Sequence, residues 1–272
     1  MTILPISSLP RPSAPAVKPP LKWAGGKRWL APLLRPLWRH HAWRRLVEPF
    51  CGGLAVSLEL RPQTALLNDA NPHLMNFYTW LQGGLTPRLP MENDREVYYR
   101  YRERFNRLIA QGRSDTQEAA ELFYYLNRTG YNGLCRFNRK GFYNTPYGRY
   151  TSVRYTIDFP SYREVLSPWS LSSGDFGDLR LTPDDFVYAD PPYDVPFTQY
   201  SQDGFTWADQ ERLAVWLARH PGPVVASNQA TERVVRLYRG LGFRLLTLDA
   251  PRLISCTGDR RPAKEILALR NI

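Results

Sequence analysis

Leu46-Val47-Glu48-Pro49-Phe50-Cys51-Gly52-Gly53 decides the fold. Its apolar opening reads as a short strand, and the glycine pair ends that strand in a tight bend. An apolar run from Leu54 to Leu60 reads as a helix. Ala65-Leu66-Leu67 reads as a second strand, closed by Asn68-Asp69. Strand, glycine bend, helix and strand form a βαβ unit, which starts a parallel sheet.

The same pattern returns in the last third of the chain. Phe186-Val187-Tyr188-Ala189 reads as a buried strand that ends at Asp190-Pro191-Pro192-Tyr193. Thr206 with Asp209 has the spacing of an N-terminal capping box, and Leu213, Trp216 and Leu217 share one helical face. Pro223 to Ser227 reads as a strand, Thr231 to Leu241 as a helix, and Phe243 to Leu248 and Glu265 to Leu269 as strands.

The middle of the chain differs. Glu92 to Arg107 is densely charged with interleaved tyrosines, as in a solvated helix. Leu122 to Ile157 holds no acidic residue but carries Arg128, Arg136, Arg139, Lys140, Arg149 and Arg154 among ten aromatics. Glycines at 130, 133, 141 and 148 favour a hairpin or loops there. The expected organisation is therefore α/β. A mainly parallel sheet domain over 18–72 and 171–272 is interrupted by a smaller domain of helices and a hairpin over 73–170. Prolines at 5, 10, 12 and 15 and the lack of an apolar core mark residues 1–17 as a disordered tail.

Composition narrows the function. Lys and Arg number 36 against 25 Asp and Glu, a net charge of +11, which suits a polyanionic partner. Cys51, Cys135 and Cys256 are far apart, and the four histidines do not join them at metal-ligand spacing. A reduced, cytoplasmic protein without a metal is expected. No apolar run approaches the roughly 20 residues that span a bilayer, so no membrane partner is expected.

Asp190-Pro191-Pro192-Tyr193 carries the sharpest chemistry. An exocyclic amino group on a base is a poor nucleophile because its lone pair is delocalised into the ring. A carboxylate and a main-chain carbonyl at a strand end can take both hydrogens and favour a tetrahedral nitrogen. Proline lacks an N–H, so it fixes the turn while leaving carbonyls free. The tyrosine ring can stack on a base that has left the duplex. Alone, the tetrapeptide equally fits an ordinary strand exit. Lys22-Trp23-Ala24-Gly25-Gly26-Lys27 and the Phe50 to Gly53 bend add glycine turns that admit a cofactor. Asp69 stands where dinucleotide folds hold ribose hydroxyls.

Taken together, K-W-A-G-G-K (22–27), E-P-F-C-G-G (48–53), N-D (68–69), Y-N-G-L-C-R (131–136), N-T-P-Y-G-R-Y (144–150), G-D-F (174–176), D-P-P-Y (190–193) and S-N (227–228) resemble the Dam-type DNA adenine-N6 methyltransferases. They resemble the alpha group in particular, in which the cofactor motif precedes the catalytic one. The match runs from Lys18 to Asn271. It implies a Rossmann-like domain that uses S-adenosyl-L-methionine, interrupted by a DNA-recognition domain, acting as a monomer on double-stranded DNA. It implies cofactor contacts at Trp23, Lys27, Phe50, Cys51, Gly52, Gly53, Asp69, Asp175, Phe176 and Asp190. Asp190, Pro191, Pro192 and Tyr193 match the catalytic motif. Tyr131, Asn132, Arg136, Pro146 and Arg149 match the hairpin that enters DNA. Relatives commonly read GATC, with Arg136 at the guanine-reading position.

This chain departs from the pattern at F-C-G-G, where many relatives have F-x-G-x-G, in a shorter stretch between Tyr193 and Thr198, and at Arg139, Lys140 and Thr145. Two other readings compete. One is the same chemistry on RNA adenine-N6 or DNA cytosine-N4, which the tetrapeptide alone does not separate. The other is a DNA-binding module without turnover, which the intact 22–27, Asp69 and 190–193 segments oppose.

Overall fold

The computed structural model describes residues 17–155, 159–193, 204–250 and 263–272. The proline-rich tail up to residue 16, Cys256 and the stretch from Asp194 to Thr198 lie outside them. Seven strands form one sheet: β1 (Leu46–Glu48), β2 (Ala65–Asp69), β3 (Trp169–Ser173), β4 (Phe186–Ala189), β5 (Val224–Gln229), β6 (Arg244–Ala250) and β7 (Ala263–Arg270). Their order is β3-β2-β1-β4-β5-β7-β6. The first five are parallel, and β7 runs antiparallel between β5 and β6. The expected mainly parallel α/β architecture is present.

Alternation along the strands fills two cores. Leu46, Leu67, Tyr188, Val225 and Leu267 face one, and Val47, Val187, Ala189, Val224, Ala226 and Ile266 face the other. Burial on both faces explains why these strands read as unbroken apolar runs. The second core is roofed by α7 (Trp207–Arg219) and α8 (Glu232–Gly240), through Leu213, Leu217, Val234 and Tyr238. Thr206 and Asp209 close both bonds of the capping box that starts α7.

The first core takes α1 (Ala31–Arg39) and the inserted helices α3 (Pro72–Gln82), α4 (Arg95–Ala110), α5 (Gln117–Thr129) and α6 (Phe159–Leu166). Three expectations change here. The helix read over Leu54–Leu60 shrinks to α2 (Ser57–Leu60), because Leu54 adopts a positive φ of 59° in a turn closed on the Cys51 carbonyl. The solvated helix becomes α4, whose Tyr98, Tyr101 and Phe105 are buried. Leu122 to Thr129 is the end of helix α5 rather than hairpin or loop. The glycines that favour a hairpin or loops, at 130, 133, 141 and 148, all lie beyond Thr129, where the helix ends. Phe77 stacks on Tyr124 with centroids 5.6 Å apart, so these aromatics build a core rather than a DNA surface.

The hairpin proper starts at Gly130, with bridges between Gly130 and Tyr147 and between Phe137 and Tyr143. Its tip is an Asn138 turn, whose side chain accepts from Lys140 and Phe142 amides. Among the described residues, no helix is long and apolar enough to cross a membrane. Likewise no group of three or more His, Cys, Asp or Glu could hold a metal ion.

β1 and β4 are neighbours, and the strand order runs outward from them in both directions. Such a switch point opens a crevice at the carboxyl ends of the strands. Their pairing begins at the buried Asp185 carboxylate, which takes both Arg45 Nε (2.8 Å) and Nη2 (2.7 Å), while the Phe186 amide donates to the Arg45 carbonyl. Burial alone raises the Asp185 pKa, but the Arg45 guanidinium and the Thr182 amide more than offset it, and the net shift is downward. The stabilisation is therefore present above the ordinary aspartate value of 3.8 and is lost as pH falls below it. Asp185→Ala is expected to cost about 2–3 kcal/mol at pH 7, because Arg45 loses its buried partner but is itself partly exposed. In urea titrations the gap to wild type should narrow toward pH 3.

Candidate active site

The segment before α1 folds over the carboxyl edge of the sheet. Lys27, only 5 % exposed, places its ammonium 3.1 Å from Asp190 Oδ2 and donates to the Gly25 carbonyl at 3.0 Å. The same ammonium lies 4.7 Å from the centre of the Tyr193 ring, within cation–π range. Ser227, at the end of β5, donates to Asp190 Oδ1 at 2.8 Å and is itself in contact with the Tyr188 hydroxyl at 3.1 Å. Gln210 of α7 donates to the Pro192 carbonyl at 2.7 Å. Tyr193 donates its phenolic proton to Glu265 of β7 at 2.8 Å.

The glycine bend lies beside this cluster. Gly52, at a φ of 44° that favours glycine, donates its amide to Asp69 Oδ2 at 3.1 Å. The other oxygen, Oδ1, accepts from the Asn71 amide at 2.9 Å. Tyr78 donates to the Gly52 carbonyl at 2.7 Å. The Trp23 indole lies on the bend so closely that a Cβ on Gly53 would approach its Cβ to 2.7 Å. Cys51 is buried as a free thiol. Asn68 Oδ1 is buried near the bend with no partner, while the Asn68 amide nitrogen holds the Pro49 and Gly174 carbonyls.

Phe50 reaches Phe176, with ring centres 5.6 Å apart. Asp175 turns outward. Both its oxygens bind Arg212 of α7, at 2.6 and 2.7 Å, and Oδ1 also caps the Gly177 amide. The Arg212 guanidinium holds the Asp175 carboxyl below its ordinary value. Trp23, Lys27, Gly52, Gly53, Asp69, Asp190 and Tyr193 thus meet at one edge, with Phe50 and Phe176 beside them.

Tyr131, Asn132, Arg136, Pro146 and Arg149 sit apart, on the hairpin. Tyr131 is 48 % exposed, and its amide donates to the Pro146 carbonyl at 2.9 Å. Arg136 leans on Asn144 at 2.8 Å. Asn132 and Arg149 take positive φ values of 52° and 51°. Pro146 and Arg149 are exposed. Lys22 joins the two regions. Its backbone pairs with the Asn127 side chain in both directions, and its ammonium sits 3.6 Å over the Tyr150 ring. Burial and the Arg128 charge lower its pKa to about 8.

Ser227, Gln210, Glu265 and Glu48 carry no role legible in the sequence, although Ser227 belongs to the S-N motif at 227–228. Glu265 gives one signal, an acid that opens the apolar run Ile266 to Leu269.

Fold and site together define an α/β enzyme with a nucleotide-type crevice at its switch point. Residues 23–254 match the D12 class N6 adenine-specific DNA methyltransferases, and the chain belongs to that family. It is 36 % identical to the DNA adenine methylase of Vibrio cholerae over 273 residues, covering 92 % of this chain and 94 % of that one. The Retron Ec67 DNA adenine methylase of Escherichia coli is 35 % identical, with 92 % and 90 % covered. The Escherichia coli DNA adenine methylase is 34 % identical, with 92 % and 94 % covered. The chain is a DNA adenine-N6 methyltransferase.

Glu48 closes β1 beneath this site and is 2 % exposed. Burial pushes its carboxyl up to about 8, and the Asp190 carboxylate adds to the rise. Between the ordinary value of 4.5 and about 8, the folded protein holds a proton that the unfolded chain releases. Stability contributed by the neutral form therefore declines as pH rises through that window. Glu48→Gln keeps the shape without the proton. Its melting temperature should gain on wild type from pH 5 to pH 8, and parallel melting curves would contradict the assignment.

Proposed function

We propose that the enzyme transfers the methyl group of S-adenosylmethionine to N6 of an adenine turned out of duplex DNA, over the carboxylate of Asp190. The observation that carries this reading is the meeting of Asp190, the two-proline turn, the Tyr193 ring and the Gly52–Asp69 bend at one sheet edge. The donor set suits the cofactor. Asp69 would accept from ribose hydroxyls, Lys27 would pair with the carboxylate, and Trp23 with Cys51, Gly52 and Gly53 would form one wall. Phe50 and Phe176 would pack on the adenine, with Asp175 at its rim. The buried, unpartnered Asn68 Oδ1 supports a polar ligand at this bend. When bound, the cofactor supplies a methyl group on a sulfonium, already a good leaving group.

The chain's own residues then position the acceptor. Ser227 holds Asp190 Oδ1, and Oδ2, beside the Lys27 ammonium, has a further lone pair to accept one N6 hydrogen. Gln210 occupies the Pro192 carbonyl, so the Pro191 carbonyl takes the other. Tyr193 stacks on the base. The nitrogen becomes acidic only after it is methylated, so no strong base is needed beforehand. Orientation of this kind supplies roughly 7–11 kcal/mol, against a few kcal/mol for base extrusion.

Residues 73–170 act as the recognition unit. Arg128, Arg139 and Lys140 grip phosphates, Tyr131, Asn132 and Pro146 enter the duplex, and Arg136 and Arg149 probe base edges at GATC or a related site. The enzyme works as a monomer on DNA in the cytoplasm.

Asp190→Ala should abolish methylation in a protein that still folds but melts below the wild type, because the buried Lys27 ammonium loses its partner. A purified, active Asp190→Ala enzyme would sink the catalytic assignment. Arg136→Ala should lose about 1–3 kcal/mol of discrimination at one base position. Methylation sequencing of a treated plasmid reads this directly, and unchanged selectivity counts against the role.

A further inference from the structure

The D-P-P-Y turn leaves β4, but the group that fixes its tyrosine comes from elsewhere. Glu265 lies on β7, paired with Gln229 of β5 on one side and Leu248 of β6 on the other. It is 8 % exposed, and the residues that follow it, Ile266, Leu267, Ala268 and Leu269, are buried and apolar. An acid in such a strand is costly unless its oxygens are bonded. Glu265 Oε2 accepts the Tyr193 hydroxyl at 2.8 Å, across 72 residues of sequence.

This bond constrains a specific degree of freedom. The proline turn and the Gln210 bond to Pro192 fix the backbone that carries Tyr193. The ring itself keeps a soft second torsion. A phenol tethered at its far end loses that freedom. The tether is anchored on a strand hydrogen-bonded on both sides, so it does not follow movements of the turn. Lys27 approaches the ring at 4.7 Å and Asp190 at 3.1 Å, so any tilt of the ring is felt where the amino group is held.

We propose that Glu265 is a positioning residue, which through the Tyr193 hydroxyl sets the plane of the ring that receives the target adenine. This rests on the stacking role given to Tyr193 above and assigns it an anchor.

Tritium transfer to unmethylated plasmid DNA, measured under single-turnover conditions with the full chain, tests it. Glu265→Leu should slow methyl transfer by roughly 10- to 100-fold, the range for a small misplacement of reacting groups, with the cofactor KM unchanged. Glu265→Gln keeps an oxygen that accepts from the phenol and should recover most of that loss. Tyr193→Phe should match Glu265→Leu, and the double variant should be no slower than either. If Glu265→Gln is as slow as Glu265→Leu, or the two single losses multiply, or all variants keep the wild-type rate, the inference is overturned. Tyr193→Ala separates the two levels. A wild-type rate in Tyr193→Ala overturns the stacking role and the inference with it. An inactive Tyr193→Ala beside a fully active Glu265→Leu overturns the inference alone.

Discussion

A buried cation must be paired, and Lys27 is paired with Asp190. That requirement ties the segment ahead of the sheet to the tip of its central strand. Once Lys27 is held there, Trp23 lies on the glycine bend, and only glycines at 52 and 53 admit its side chain so closely. Lys22, one residue earlier, is held by Asn127 and Tyr150. One short segment thus touches Asp190, the glycine bend and the base of the hairpin. Such an arrangement gives a physical route by which hairpin contacts and the strand edge share one geometry.

The sheet supplies rigidity around this edge. β1 and β4 start in register through the Arg45–Asp185 pair and end in the two motifs that matter, the bend after Glu48 and the turn after Ala189. β5 brings Ser227 to Asp190, and β7 brings Glu265 to Tyr193. Asp190 and Tyr193 are therefore held by supporting bonds from neighbouring strands, which is what the precise positioning proposed for them requires. Three carboxyls interact in a chain: Asp190 and Glu265 share the Lys27 cation, and Glu48 feels the charge of Asp190. The deepest, Glu48, relieves the excess negative charge by keeping its proton to about pH 8.

Legibility in the sequence followed the range of the physics. The β1 bend, β2 with Asp69, β4 and the Thr206–Asp209 box could be read because each is settled within a few residues. The end of helix α5 could not, because it runs without a break in composition into the glycine-punctuated hairpin that follows Thr129. Strand order and the insertion of β7 between β5 and β6 were equally invisible, being set by tertiary packing. At the site, D-P-P-Y and the glycine bend were legible as local motifs. Their supports were not, because Ser227 lies 37 residues and Glu265 lies 72 residues from the groups they hold. Asp175 shows a further limit. Its local motif gave no hint that Arg212, 37 residues on, would take both its oxygens.

The central claim is that a sulfonium methyl and an adenine amino group meet at the tip of β4. The most direct measurement supplies S-adenosylmethionine carrying an isotopic label in its methyl group, together with duplex DNA and RNA in one tube. The nucleosides are then digested and separated by mass spectrometry. The account predicts label in N6-methyldeoxyadenosine and nowhere else. Label in N4-methyldeoxycytidine, label in the RNA fraction, or no labelled nucleoside would contradict it.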